Sequence, residues 1–533
     1  MKPFLMGQET ELGVSARMDG QQVGATHVFS LLCRELRREV PCLRDLGAMG
    51  LYTAQGSRFY LDCGGHPEWS SPELSSPNQL VVYEKAAERL LQSACRRIQQ
   101  TYPGLAVSLS KNNLCPIAPN DVTYGCHESY TVWVPHQRLG EVVEQLLPHL
   151  TTRIVYGGAG CLSADNRGTG YELSQRARHL VRATGSETTR QRAIFSTRVK
   201  STDTSPDGWT RVHLICKDSH RLGRGTYLTC GTTALLIQLI NAGHRVGDQL
   251  QLADPVRALR DLSLDLSFQV RLPLADGRRL TALEIQEVYL EQCERAVQRG
   301  TFPAWGRQVV RLWRETLEAL AANPIQLAGK LDIYRKLLVH QHALDQAGVR
   351  WEELRAAVGL LARLRQQFPA GVVQAVLNED PGTLPADTLP SFDLARRLVE
   401  DRGTVEHLRL AVRLQMFEFR YHELGGFSDE VIGDGLADKS LPSDILTIHD
   451  VERAMQQPPA GGRAAARGRF IAQQHEPGTW SCNWRQLVNL ETGAVGDLGD
   501  PFFARKPVIR EPGKPAKQSR LRMLRELLRC LGR

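Results

Sequence analysis

The segment Arg58-Phe59-Tyr60-Leu61-Asp62-Cys63-Gly64-Gly65-His66-Pro67-Glu68-Trp69-Ser70-Ser71-Pro72-Glu73 alternates over its first six residues. In an extended strand successive side chains point to opposite faces. Arg58, Tyr60 and Asp62 therefore share one face, and Phe59, Leu61 and Cys63 share a core face. A cation, a phenol and a carboxylate in a row are more than a solvated sheet surface requires. Gly64-Gly65 ends the strand, and Glu68 returns a second carboxylate near its end. A half-buried strand with a polar outer face is the plainer alternative.

Other strands carry acids and bases in the same way. Gly7-Gln8-Glu9-Thr10-Glu11-Leu12-Gly13 puts Glu9 and Glu11 on one face, a costly arrangement unless a cation lies between them. Hard oxygen ligands of this kind suit Mg²⁺ held with nucleotide phosphates. Tyr124 to Trp133 sets Glu128 and Tyr130 opposite His127, and Thr210 to Cys216 sets Arg211 and His213 opposite Val212, Leu214 and Cys216. Strands are also expected at 106–110, 153–160 and 195–198, and helices over 27–46, 79–100 and from Gly231. Gathered on one curved sheet, Glu9, Glu11, Arg58, Tyr60, Asp62, Glu68, Glu128, Arg211 and His213 form a basin suited to Mg-nucleotide chemistry. No Gly-x-x-x-x-Gly-Lys-[Ser/Thr] loop and no protein-kinase loop set is present.

The 533 residues leave room for three or four domains or one large one with additions. An apolar fraction of 42% with 23% charged residues fits a globular protein. No apolar run reaches the roughly 18 residues of a spanning helix. Acidic Glu9 and Glu11 stand where an export signal needs its apolar stretch, so a cytoplasmic location is expected. Twelve cysteines without a Cys-x-x-Cys pair predict reduced thiols and no structural zinc. The net charge of +8 favours acidic partners, whether nucleic acid, nucleotide or protein. Much of it lies beyond Lys506, where nine Lys/Arg face two Glu. There Leu521, Met523, Leu524, Leu527 and Leu528 suit one face of a basic amphipathic helix. Such a helix packs on its own domain or docks a partner or an anionic surface. From Pro255 to Glu418 the chain reads as long helices without a cluster of chemistry. Gln457 to Gly468 reads as a linker or mobile loop, and Phe470 to Phe503 as a small unit around Trp480, Trp484 and Leu487.

These residues carry a resemblance. Gly-Gln-Glu-Thr-Glu-Leu-Gly, Arg-Phe-Tyr-Leu-Asp-Cys-Gly-Gly-His-Pro-Glu-Trp, Lys111-Asn112-Asn113 and Tyr-Gly-Cys-His-Glu-Ser-Tyr are matching stretches, as are Leu-Ser-Gln-Arg-Ala (173–177) and Ser-Thr-Arg (196–198). Arg-Val-His-Leu, Gly-Thr-Thr-Ala-Leu (231–235), Arg-Gly-Arg-Phe-Ile (467–471), Asn483-Trp484 and Asp-Pro-Phe (500–502) follow in order. The chain resembles the Pup ligase and Pup deamidase/depupylase family, relatives of glutamine synthetase and the carboxylate-amine ligases.

The resemblance implies an α+β fold. A large domain (1–445), with a curved antiparallel sheet backed by helices, would cradle ATP. A small C-terminal domain (446–508) and the basic tail (509–533) would follow. By analogy Glu9, Tyr60 and Glu68 bind Mg²⁺, Arg58, Ser71 and Trp484 contact ATP, and Asp62 is the catalytic acid/base. Glu11, His66, His127, Glu128, Arg198, Arg211 and His213 lie in family motifs with looser roles. An ion pair between Asp62 and Arg58 is the competing structural role for Asp62.

The implied reaction is ligation of the C-terminal glutamate of a small acidic Pup-like modifier to an accessible lysine of a target protein. No nucleic acid partner is implied. A carboxylate acylates poorly, so ATP first converts it to an acyl phosphate. A lysine amine, with a pKa near 10.4, then needs a base. The family's deamidase branch carries a long insertion before the Arg-x-Tyr-x-Asp strand. Val40 to Gln55 is compact here, which favours the ligase branch. The family's acidic run after Thr-Arg is replaced by Val199-Lys200-Ser201-Thr202-Asp203, which leaves the identity of the modifier open. A hydrolase of the same fold, a small-molecule carboxylate-amine ligase and an inactive modifier-binding adaptor are the alternatives.

Overall fold

The computed structural model describes residues 2–115, 123–163, 170–187, 190–198, 204–205, 208–401, 404–425, 439–474, 478–503 and 505–511. The stretch 199–203 and the proposed amphipathic helix beyond 518 lie outside these residues. Period-two burial governs the strands that matter. In Met6–Glu11 the residues Met6, Gln8 and Thr10 are buried, while Gly7, Glu9 and Glu11 face the opposite side. Cys126–Val132 and Thr210–Leu214 repeat the pattern.

Among the described residues thirteen strands form one sheet. Its order is Arg182–Gly185, Ala193–Ser196, Thr210–Leu214, Cys126–Val132, Met6–Glu11, Pro67–Ser70 and Arg58–Leu61, then Gly50–Thr53, Cys42–Asp45, Trp480–Cys482, Gln486–Asn489, Val495–Asp497 and Ile509–Arg510. The sheet is mixed rather than wholly antiparallel. Its first two strands run parallel, as do Cys42–Asp45 and Trp480–Cys482. The C-terminal strands thus extend the same sheet that carries the Arg-x-Tyr-x-Asp motif. Gly50 lies opposite Tyr60. A Cβ there would come within 2.5 Å of the Phe59 carbonyl, so only glycine allows this close crossing.

Helix Pro77–Thr101 backs the sheet. Ser76 accepts from the Gln79 amide and Pro77 occupies the first turn, a favourable start for a helix. Its Leu80 and Val81 join Tyr130, Val212 and Leu214 in the main core. Helix Gly223–Asn241 is buried along its whole length and begins eight residues before Gly231. A second core places Phe59 and Trp69 against Phe29 of helix Ala25–Glu39. That helix stops short of residue 46, where Cys42–Asp45 is already strand. The helical region beyond 255 runs from Pro255–Ser263 to Val405–Tyr421. It holds a buried polar cluster that the sequence pattern does not disclose. Asp332 accepts from the Arg221 and Leu222 amides and from the Tyr421 hydroxyl, and His340 meets Glu418 at 3.0 Å.

Three local expectations are corrected. Cys63 is exposed, not in a core, because the strand ends at Leu61 and the Gly64-Gly65 turn begins at once. Residues 153–160 are not a strand: Ile154–Gly157 is a helical turn that follows helix Leu139–Thr152. The linker proposed at 457–468 is largely helix Gly462–Ala472, whose Ala464, Ala465, Ala466 and Arg467 are buried. Among the described residues the eleven cysteines are free, and no helix is long and apolar enough to cross a membrane.

Candidate active site

The polar sides of the central strands line one cavity of about 1140 Å³. Strand register sets its floor. Glu9 lies between His127 and Ser70, and Glu68 lies between Glu11 and Tyr60. Arg58 and Ser71 stand on the same wall, and Trp484 reaches it from the turn before Gln486–Asn489.

Glu9 is held by Arg211 at 3.1 Å and by His127 Nδ1 at 3.4 Å. His213 Nε2 lies 3.4 Å from it, its nearest acid. Burial raises the Glu9 pKa, but the two imidazoles and the Arg211 charge overcome it and hold the carboxyl well below its ordinary value. Burial and Arg211 push His213 down to about 4, so its ring is neutral near pH 7. Glu68 behaves oppositely. Burial and the Glu9 charge drive it well above the ordinary carboxyl range. Tyr60, beside it, is raised by burial and by Glu68. The two neighbouring acids are thus pushed in opposite directions, Glu9 toward ionisation and Glu68 toward its neutral form.

This oxygen set fits a divalent cation. Glu9 and Glu68 are close enough for one charge to suppress the other, and a cation between them would displace the Glu68 proton. Glu9 also gathers His127 and His213, their ligand atoms lying within 4.8 Å of one another. Hard oxygens suit Mg²⁺ and imidazoles suit transition metals, so the Glu68 and Tyr60 side is the one that fits Mg²⁺.

A second cluster sits where the motif strand ends. Asp62 Oδ1 accepts from the His66 amide at 2.6 Å, and His66 Nδ1 lies 3.8 Å from Oδ2. The same ring nitrogen meets Glu11 at 3.3 Å. Burial and the Glu11 charge raise Asp62 against the His66 amide bond. Burial opposes ionisation of Glu11, yet the His66 contact and the Gly125 amide, which donates at 2.7 Å, bring it to about 2. A Cβ on Gly125 would lie 2.6 Å from the Glu11 carboxylate, so this contact needs glycine. Arg58 does not pair with Asp62. It donates to Asp45 at 2.6 Å and stacks 3.7 Å from the Tyr60 ring centroid. Asp62 is therefore free of the ion pair that competed with a chemical role.

The remaining candidates divide. Ser71 lines the cavity, but its hydroxyl accepts from the Gln8 amide and donates to the Pro72 carbonyl. Trp484 is half-buried beneath Arg467 at 4.8 Å and edge-on to Tyr52 at 5.4 Å. Arg198 is exposed on the cavity wall. Glu128 does not belong to the basin. It is fully buried on the opposite face, bonded to Arg153 and Tyr130. Even-numbered residues of that strand face the core, which the alternation already implies. Three contributors carry no assigned role in the motifs. Asp45 holds Arg58, Glu73 holds Arg463 and Arg467, and Arg176 lines the cavity from Leu-Ser-Gln-Arg-Ala.

The family model described as Pup-ligase protein matches residues 5–361 and 394–488. A Pup–protein ligase of Acidimicrobium ferrooxidans is 32% identical over 506 residues, 93% of this chain and 95% of the relative. A depupylase of Acidothermus cellulolyticus is 36% identical over 337 residues, 60% of this chain and 66% of its own. The crystal structure of Pup bound to its ligase PafA matches with a TM-score of 0.69 at 21% identity, covering 99% of this chain and 93% of that one. PafA in complex with ADP matches with a TM-score of 0.64 at 21% identity, covering 95% and 94%. At that identity the two structures establish the fold, and the α+β expectation stands. With the family model spanning most of the chain and a relative above 30% identity along nearly all of it, the chain belongs to the Pup-ligase family.

Proposed function

We propose that this chain is an ATP-dependent ligase joining the side-chain carboxylate of the C-terminal glutamate of Pup, or a Pup-like modifier, to a target lysine in the cytoplasm. The observation that carries this reading is one cavity lined by Glu9, Tyr60 and Glu68, with Asp62 at its rim unpaired with Arg58 and fixed by the His66 amide. Glu9, Tyr60 and Glu68 would hold Mg²⁺, which neutralises phosphate charge when bound. Arg58 and Trp484 would contact ATP. Ser71, its hydroxyl committed, would offer only its backbone and shape. In the first step the modifier's carboxylate oxygen attacks the γ-phosphorus, the bond to ADP breaks, and an acyl phosphate forms. In the second the lysine nitrogen attacks the acyl carbon and phosphate leaves. Asp62 takes the proton from the amine.

Asp62 suits this role because the His66 amide fixes one oxygen while the group stays partly open to solvent. A positioned base contributes roughly 10²–10⁴-fold. Asp62→Asn should keep Mg-ATP binding and lose at least about a hundredfold in single-turnover conjugation. Part of the rate should return as rising pH leaves more amine neutral. Near-wild-type rates at neutral pH would end the base assignment.

The depupylase relative makes hydrolysis by the same fold the second reading. The strands Cys42–Asp45, Gly50–Thr53 and Arg58–Leu61 are joined by turns 46–49 and 54–57, which leaves no place for the insertion of the hydrolase branch. Release of Pup from a conjugate, without ligation in the presence of ATP, would favour that reading.

A further inference from the structure

The polar atoms of Asn113 tie three other segments together. The residue is fully buried. Its Nδ2 donates to the Tyr124 carbonyl at 2.8 Å and to the Ser219 hydroxyl at 3.2 Å, and its Oδ1 accepts from the Ser219 amide at 2.7 Å. Its own amide donates to Gln175 Oε1 at 2.8 Å, and its carbonyl accepts from the Tyr124 amide at 3.0 Å. A carbonyl only accepts and a backbone N–H only donates, so the side chain has one orientation. Asp or Leu in its place would leave one of these buried groups unmatched. The anchor is itself held firmly. Two positions earlier the buried Lys111 ammonium donates to Glu84 at 2.6 Å and to Glu88 at 2.7 Å, which fastens this stretch to helix Pro77–Thr101.

Neither Asn113 nor Tyr124 lines the cavity. They act on it through what they hold. Gly125, next to Tyr124, accepts from the Glu11 amide at 2.9 Å and donates to the Glu11 carboxylate at 2.7 Å. The Tyr124 ring lies over Gly13, where a Cβ would come within 3.3 Å of it, and its centroid is 4.7 Å from that of His66. Glu11 and the Tyr124 ring thus both contact the His66 imidazole, and the His66 amide fixes Asp62. We infer that Asn113 is a positioning residue for acyl transfer to the lysine: it fixes Tyr124-Gly125 so that Glu11 and His66 hold the Asp62 carboxylate in one orientation at the rim. The inference rests on the reading of Asp62 as the base, and it adds a residue outside the cavity on which that base depends. A misplacement of about 1 Å in a catalytic group costs up to roughly a hundredfold. The bonds of Asn113 do not run to Glu9, Tyr60 or Glu68, so activation of the modifier by ATP does not depend on it.

The test separates the two steps in single turnovers of the full chain with Mg-ATP and Pup. A target protein that wild type conjugates supplies the lysine, whose amine needs a base. Hydroxylamine, already neutral at pH 7, traps an acyl phosphate without one. Asn113→Ala should slow conjugation by about tenfold or more, while hydroxamate forms at close to the wild-type rate. A residue that only stabilises the fold would slow both alike. In the Asp62→Asn background the same substitution should add less than about twofold, since both changes remove one function. Tyr124→Leu keeps the Asn113 bonds, which go to the main chain, and removes the ring from His66; it too should slow conjugation and spare hydroxamate formation. Equal loss of both products, or full additivity with Asp62→Asn, overturns the inference. If Asn113→Ala does not fold, Tyr124→Leu decides, and conjugation at the wild-type rate overturns it. Asp62→Asn slow beside a wild-type-like Asn113→Ala sinks this inference alone. Unimpaired conjugation by Asp62→Asn sinks the base reading with it, and no conjugation by wild type sinks the ligase reading.

Discussion

Glu73→Gln is the perturbation that best probes how the C-terminal helix supports the cavity. Glu73 is half-buried and bonds Arg463 and Arg467 of helix Gly462–Ala472. Arg467 is fully buried, donates also to the Gly56 carbonyl at 2.7 Å, and carries Trp484 and Tyr52 on its guanidinium. Glutamine keeps the shape and removes the charge, leaving a buried cation uncompensated, a loss of about 3–5 kcal/mol. The titration of Glu73 leads to a similar figure. Burial opposes its ionisation, but Arg467 and Arg463 bring it to about 2 from an ordinary 4.5, worth roughly 3 kcal/mol at neutral pH. Because the folded pKa is depressed, that stability is present above about pH 4.5 and is lost as pH falls toward 2. The variant should therefore lose about 3 kcal/mol in urea unfolding at pH 7 and show a flatter acid limb than wild type. Local detachment of the helix should precede global unfolding in hydrogen exchange, and the ATP KM should rise as Trp484 loses its support. A variant within about 0.5 kcal/mol of wild type, with an unchanged ATP KM, would refute the strut.

Glu9→Gln should weaken Mg-ATP binding in calorimetry by at least about tenfold; unchanged affinity with Mg²⁺ present would remove Glu9 from the metal set. Trp484→Ala should raise the ATP KM and cost about 1–3 kcal/mol through the lost Arg467 and Tyr52 contacts, and an unfolded circular dichroism spectrum would make the ring a core residue instead. Glu128→Gln should cost about 3–5 kcal/mol by stranding Arg153, while the KM values for ATP and modifier in the folded fraction stay put.

Where local physics dominates, the sequence is legible. Strands Met6–Glu11, Cys126–Val132 and Thr210–Leu214 show their two faces because one side of each is buried and a one-residue slip would reverse it. That period puts Glu9 with Glu11 and Tyr60 with Asp62 on single faces, whereas the pairing of Glu11 with Glu68 and of Glu68 with Tyr60 is legible only in the structure. Glu128 is instructive in the other direction, since its motif suggested the basin and its register, opposite His127, put it in the core. Composition misled at 457–468, where Pro, Gly and Ala suggested a linker. Ala464–Ala466 favour a helix, and the Glu73–Arg467 bond joins positions 394 apart that no local pattern relates. Ile154-Val155-Tyr156 has strand chemistry, yet it continues from a helix into Gly158, whose missing Cβ admits the Leu173 carbonyl.

The cavity grades from buried to open along the motif itself, and the proposed two-step reaction would use that gradient. Glu68 is 4% exposed, deep enough that a cation and phosphates beside it feel strong fields and an acyl phosphate is kept from water. Asp62, six residues earlier and one turn away, borders the exposed Cys63 and Gly64. On the proposed mechanism a target lysine, protonated in solution, would meet Asp62 at this rim. A base buried like Glu68 is pushed toward its neutral form, which weakens it as a proton acceptor at neutral pH. A base in open solvent would have no fixed geometry. Asp62 lies between these limits, raised in pKa by burial and Glu11 yet fixed by the His66 amide. Its place at the end of a strand, where the Gly64-Gly65 turn brings His66 back onto it, follows directly from the order of residues 58 to 66.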